Sequence, residues 1–247
     1  MRERITITIS KNLLEELDKS IDGLTIRSRS QAIEFFLSKF LKADKINNAI
    51  VIVPNIKIKK RPFEFFKIGD KPLLQIYLEH LQKMGIQKFN VVVKRKSKKI
   101  SKILKNFNSK QITIKEIQKI TLGEQALLCY ANKFVFSNLE KLLTFHKANN
   151  AKVTAGIVIS SKKPRLIMDG TIVTSIDLKP KAKIFHSSTG HYIISQEVLK
   201  KKILSIDEVS FLKNACKEKI LYGYLFEDDC LTINNLKDIK ALKRMLK

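Results

Sequence analysis

The chain has 247 residues, 44% of them hydrophobic, which is enough for one small and one mid-sized domain with a real core and argues against disorder. Its formal net charge of +25, from 48 Lys+Arg against 23 Asp+Glu, favours a polyanionic partner, most simply nucleic acid. No run approaches the roughly twenty apolar residues that span a bilayer, no apolar leader opens the chain, and Cys129, Cys216 and Cys230 are scattered without a C-x-x-C pair, so membrane, disulfide-framework and zinc-finger classes are set aside in favour of a reducing cytoplasm.

Residues 4–9 alternate strictly, with Ile5, Ile7 and Ile9 on one face and Arg4, Thr6 and Thr8 on the other, which predicts a half-buried strand. A helix is predicted from Ser10, burying Leu13, Leu14, Leu17 and Ile21 and stopping at Gly23. A second opens at Ser28, with Gln31 as its capping-box partner and Ala32, Ile33, Phe36, Leu37, Phe40 and Leu41 as its apolar face. One strand with unpaired edges and a core drawn from about forty residues cannot stand alone. Two copies pairing their strands about a two-fold axis solve both problems, and the ribbon's polar face then fits a DNA major groove.

At these residues the stretch resembles the ribbon-helix-helix family of DNA-binding regulators (the MetJ, Arc and CopG type). The resemblance rests on R-x-T-x-T, a Leu-rich helix, Gly23 and S-R-S-Q-A-I. It implies base reading by Arg4, Thr6 and Thr8, and phosphate contacts from Arg2, Lys11, Arg27, Ser28, Arg29 and Ser30, the last three at a helix N-terminus. Residues 1–46 hold nine basic and seven acidic side chains, so nearly all the excess charge lies further on.

A polar hinge, KADKINN, precedes the buried run AIVIV at 49–53. Leu73, Leu74, Tyr77, Leu78 and Leu81 form a helix face ended by Gly85, and KFNVVV at 88–93 is a second buried strand. A basic helix over 97–107, a strand over 111–117, helices over 124–134 and 138–149, and a strand over 151–160 follow. A hairpin over 165–177 turns at Asp169-Gly170. G-H-Y-I-I after Thr189 reads as a core strand, and helices over 196–204 and 207–218, a short hairpin over 220–233 and a terminal helix over 235–246 complete the chain. The fold class is α/β: a dimeric ribbon-helix-helix over 1–44, then a mostly parallel sheet domain with helices on both faces over 49–247.

From Ala49 onward the order of elements resembles the sugar-phosphate nucleotidyltransferase fold. IGDKPLLQIYLEHLQKMGIQKFNVVV carries most of the likeness, supported by LGEQALL, NLEKLLTFHKANNAKVTAG and LYGYLFEDDCLTINNLKDI. The resemblance implies a Gly-rich phosphate loop, a P-K-P lysine, an N-G-D carboxylate on magnesium and a second metal-binding aspartate. Here the loop reads PNIKIKKR without glycine, and P-K-P aligns with Pro62, Phe63 and Glu64. The N-G-D segment looks missing between Ala131 and Leu139, and the second aspartate aligns with Thr232. The expectation is therefore a domain without catalysis, with no catalytic residue, no metal site and no cofactor.

Glu227, Asp228 and Asp229 read as a polar turn rather than substitute ligands, His80, His146, His186 and His191 lack metal-ligand spacing, and Ser195 sits in no nucleophile elbow. Lys57, Lys59, Lys60 and Arg61 in place of the loop, with Lys94, Arg95 and Lys96 after the second strand, form a candidate auxiliary anion patch on the edge where parallel strands end. The expected protein is a cytoplasmic, nucleoid-associated, non-enzymatic transcriptional regulator. It acts as a homodimer, or a higher oligomer on DNA, with double-stranded DNA and a small anionic ligand as partners and no membrane. The alternatives are an active sugar-phosphate nucleotidyltransferase with a DNA-binding arm, or a DNA-segregation or chromatin-organising protein.

Overall fold

A computed structural model describes residues 5–21, 26, 28–40, 45–121, 123–136, 138–161, 164–201, 203–226 and 230–246. The chain divides into two compact units, residues 1–45 and 46–247.

In the first unit, α1 spans Lys11–Lys19 and α2 spans Arg29–Phe40. Ser10 precedes α1, and Ser28 Oγ accepts the backbone N–H of Gln31 at 3.2 Å, so the predicted cap is used. The small core is Leu17, Ile26 and Ala32, with Leu14, Ile21 and Ile33 against it. Asp18 accepts both Arg29 Nε and Arg29 Nη2 at 2.7 Å and ties the two helices together. The expected strand does not form in the single chain: residues 5–10 join no ladder, and Ile5 and Ile7 are 69% and 48% exposed. A strand needs a neighbour for its N–H and C=O groups, and one copy supplies none. Arg2, Arg4, Gly23 and Arg27 lie outside the described residues.

The second unit opens with β1 (Asn48–Ile52), the hairpin of β2 (Lys57–Ile58) and β3 (Arg61–Pro62), and the hairpin of β4 (Lys67–Ile68) and β5 (Lys71–Pro72). Next come α3 (Leu73–Lys83), β6 (Lys88–Val93), α4 (Lys98–Leu104), β7 (Ser109–Thr113), β8 (Gln125–Tyr130) and β9 (Lys133–Val135). Then follow α5 (Leu139–Ala148), β10 (Val153–Ser160), β11 (Arg165–Asp169), β12 (Ile172–Asp177) and β13 (Phe185–Ser195). The unit closes with α6 (Gln196–Lys200), α7 (Glu208–Lys217), β14 (Leu221–Leu225), β15 (Cys230–Thr232) and α8 (Leu236–Met245).

Nine strands form one sheet in the order β10-β14-β12-β11-β13-β8-β1-β6-β7. β8, β1, β6 and β7 are parallel neighbours. Alternate residues of these strands feed opposite cores: Ala49, Val51, Val91 and Leu127 one side, Ile50, Ile52, Val92 and Leu128 the other. Burial on both faces is why they read as unbroken apolar runs.

Three expectations change. The sheet is mixed rather than mostly parallel, because β10 reaches β13 through the β11–β12 hairpin and returns antiparallel instead of crossing over a helix. Residues 124–134 are β8 and the start of β9, not a helix; a buried strand and a buried helix share the same short apolar pattern. The hairpin over 220–233 does not exist: β14 joins β10 in parallel, while β15 pairs with β9. Among the described residues no helix is long and apolar enough to cross a membrane.

Candidate functional site

Parallel strands deliver their carboxyl ends to one edge, where ligand crevices form. Here Asn55 follows β1, Lys94 follows β6, and Ala131 and Asn132 follow β8. Asn55, Lys94, Asn132, Lys133, Glu208 and Thr232 share the lining of a cavity of about 630 Å³. A second cavity of about 390 Å³ shares Lys133, Thr232 and Asn234 and adds Ser187, Ser188 and Asp238.

Lys133 is common to both. It opens β9 directly opposite Thr232 of β15, in antiparallel register. Its ammonium lies 2.6 Å from Glu208 Oε2, and the two side chains are only 11% and 13% exposed. It also donates to the Ser188 carbonyl at 3.1 Å. Glu208 Oε1 accepts Ser188 Oγ at 2.8 Å and the Tyr192 hydroxyl at 2.6 Å. Ser188 Oγ in turn accepts the Gly190 N–H at 2.9 Å. Glu208, Ser188 and Tyr192 each find partners in this buried network, and Lys133 uses two of its three N–H donors in it, which holds the group in one geometry. Burial and the Glu208 charge push the Tyr192 phenol well above its ordinary range, so it remains a donor. Gly190 has φ +76°, and a Cβ there would lie 2.4 Å from Lys133 Cδ. The missing side chain is what lets the lysine stem pass.

The sequence-predicted basic residues have mixed fates. Lys59 and Lys60 form the exposed tip of the β2–β3 hairpin, with φ of 47° and 67°, and Lys57 and Arg61 flank it. Arg95 is exposed, whereas Lys96 is held by Glu116 at 2.6 Å. That lysine, with N–H and O–H donors from Thr113, lowers the Glu116 carboxyl to about 2. Only Lys94 of these seven lines the larger cavity. Thr6, Thr8, Lys11, Ser28, Arg29 and Ser30 are exposed, and Arg29 is engaged by Asp18.

Three of the four histidines are buried and structural, and His186 is exposed. His80 contacts the Val135 carbonyl at 2.7 Å, His146 lies 2.8 Å from Thr154 Oγ1, and His191 lies 3.1 Å from the Tyr77 hydroxyl. Burial lowers His146 to about 4 and His191 to about 3.

Ala131 and Asn132 follow β8, and the register sets Lys133, the first residue of β9, against Thr232, where the resemblance put the second aspartate. This facing pair therefore offers an ammonium and a hydroxyl. These residues do not fit a divalent cation, and among the described residues no group of three or more His, Cys, Asp and Glu could hold one. Glu227, Asp228 and Asp229 lie outside the described residues. Reading 124–134 as a helix hid Lys133, which opens β9. Glu208, Tyr192 and Gly190 come from distant segments and carry no local signal.

No protein-family model matches the sequence, and no curated protein matches it. Solved structures do match. HddC from Yersinia pseudotuberculosis superposes with TM-score 0.67 at 16% identity, over 82% of this chain and all of that one. The inositol-1-phosphate CTP transferase from T. maritima gives 0.62 at 15%, over 82% of this chain and 96% of that one. CTP:phosphocholine cytidylyltransferase from Streptococcus pneumoniae gives 0.58 at 14%, over 82% of this chain and all of that one. These likenesses overturn the expectation of a non-enzymatic DNA-binding regulator: most of the chain shares its fold with nucleotidyl-transferring enzymes, and none of these matches is a ribbon-helix-helix regulator. The chain carries a mixed α/β domain of the nucleotidyltransferase-like fold.

Proposed function

We propose that residues 46–247 form a nucleotidyltransferase that joins a nucleotide to a phosphorylated small molecule. In that reaction an oxygen of the acceptor phosphate attacks the α-phosphorus of a nucleoside triphosphate, the bond to the β-phosphate oxygen breaks, and pyrophosphate leaves. The observation that carries the reading is the cavity of about 630 Å³ at the carboxyl ends of the parallel strands, of a size suited to a nucleotide, with Lys94, Lys133, Asn55 and Asn132 in its lining. Lysines supply positive charge for phosphates, and asparagines supply both donors and acceptors for a base or sugar. The test incubates the full chain with each of ATP, CTP, GTP and UTP and a panel of sugar 1-phosphates, and follows pyrophosphate. Release that requires both substrates supports the reading, and none from any pairing removes it.

The first unit is read here as a ribbon-helix-helix-type arm on this enzyme. Ile5 and Ile7, with Leu13 and Phe36, expose an apolar set that a second copy would cover by pairing the 4–9 segments. Thr6 and Thr8, exposed in the single chain, would then face outward toward double-stranded DNA. Sedimentation of the full chain should give a dimer, and Ile5→Asp with Ile7→Asp should give a monomer with the second unit still folded. A wild-type monomer at micromolar concentration would refute the pairing.

A further inference from the structure

We propose that Lys133 serves as a fixed internal cation in this site, so that the phosphates of its ligand are bound without a divalent metal ion. The inference rests on the nucleotidyltransferase reading for the identity of the ligand, but its observations are separate. Lys133 lines both cavities at the edge of the sheet. It stands in register with Thr232, the position at which the resemblance places a metal-binding aspartate, so this facing pair offers an ammonium and a hydroxyl rather than carboxylates. A divalent cation placed there would have to compete with the Lys133 ammonium for Glu208, whose oxygens are already taken by Lys133, Ser188 and Tyr192.

The position of Lys133 is built. Glu208 and the Ser188 carbonyl take its ammonium from one side, at 2.6 and 3.1 Å. Ser188 Oγ and Tyr192 anchor Glu208, at 2.8 and 2.6 Å. Gly190 clears the path of the stem at a positive φ. An ammonium carries three N–H donors, and two are used here, which leaves one for a ligand oxygen. Lys94, the other lysine of the larger cavity, adds a second positive charge.

The test measures calorimetric binding of ATP, CTP, GTP and UTP, and of inorganic tripolyphosphate, to the full chain in excess EDTA and again in millimolar magnesium. Tripolyphosphate separates recognition of phosphate from recognition of a base. At least one probe should bind in EDTA with an affinity within about twofold of that in magnesium, and Lys133→Met should weaken it by about tenfold or more. Because Lys133→Met strands a buried carboxylate, Lys133→Met with Glu208→Gln is measured beside it, and a thermal melt confirms that the pair folds. Binding that appears only with magnesium overturns the proposal, as does wild-type affinity in the folded double variant, or no binding of any probe. Turnover that needs magnesium would overturn it while leaving the proposed function standing. Polyphosphate bound in EDTA by a protein that turns over no substrate pair would support it and remove that function.

Discussion

Gly190→Ala tests whether the fold is shaped around Lys133. The added Cβ meets Lys133 Cδ at 2.4 Å and Lys133 Cγ and Cβ at 3.1 Å, while φ is +76°. The left-handed backbone alone costs an alanine about 1–2 kcal/mol. The clash adds about 1–3 kcal/mol, because the stem is pinned at its head by Glu208 and cannot swing aside without breaking that pair. Together the expected loss is about 2–5 kcal/mol, or a melting temperature lower by roughly 5–15 °C for a unit of this size. Urea unfolding of the full chain measures it. The discriminating arm repeats the substitution in a Lys133→Ala, Glu208→Gln background, which removes Cγ and Cδ. There the penalty should shrink to the backbone part, a coupling of about 1–3 kcal/mol between the two positions. A loss below about 1 kcal/mol in the wild-type chain, or the same loss in both backgrounds, would refute the reasoning.

The β2–β3 tip holds Lys59 and Lys60 at φ of 47° and 67°, the conformation that Asn-Gly turns adopt readily. Lys59→Asn with Lys60→Gly should raise stability by about 1 kcal/mol in urea titration, and a decrease would show that the lysines are held by contacts rather than strained. His146 and His191 are buried, with folded-state values of about 4 and about 3, so the unfolded chain takes up their protons first as pH falls below 6.5. Stability should therefore fall between pH 7 and pH 5 by about 2 kcal/mol for each histidine, and a flat urea midpoint across that window would contradict their burial as neutral rings. The Cys129 thiol is fully buried and pushed up to about 12 by burial. It should resist alkylation at pH 8 until the domain unfolds, and labelling at the rate of a free thiol would place it at the surface.

Legibility in the sequence followed the range of the interactions. α3 was plain from Leu73, Leu74, Tyr77, Leu78 and Leu81, because a helix records its buried face in local spacing. Its stop at Gly85 and the turn at Gly170 were plain too, and both glycines have positive φ, +95° and +54°. β8 was not plain. Its run Ala126-Leu127-Leu128-Cys129-Tyr130 is buried on both faces, so it lacks the alternation by which half-buried strands are recognised. The 4–9 segment failed in the opposite way. It has the alternation of a strand, but the neighbour that would make it one is not in the same chain. The site was hidden for a third reason, since Lys133 on β9, Ser188 and Tyr192 on β13 and Glu208 on α7 are joined only by side-chain contacts between segments far apart in the chain.

The change at the strand ends is electrostatic before it is anything else. Two unit charges 4 Å apart interact by about 4 kcal/mol at an effective dielectric of 20, and a divalent ion beside an ammonium doubles that repulsion. At Lys133 the Glu208 carboxylate 2.6 Å away offsets part of that repulsion, so a metal ion there would first have to part the lysine from its partner. Removing Lys133 alone does not restore a metal site, because Thr232 offers a hydroxyl where a second carboxylate would be needed and Glu208 is already committed to Ser188 and Tyr192. The ammonium, held by Glu208 and given passage by Gly190, is therefore the part of this site to which any account of its chemistry must assign a role.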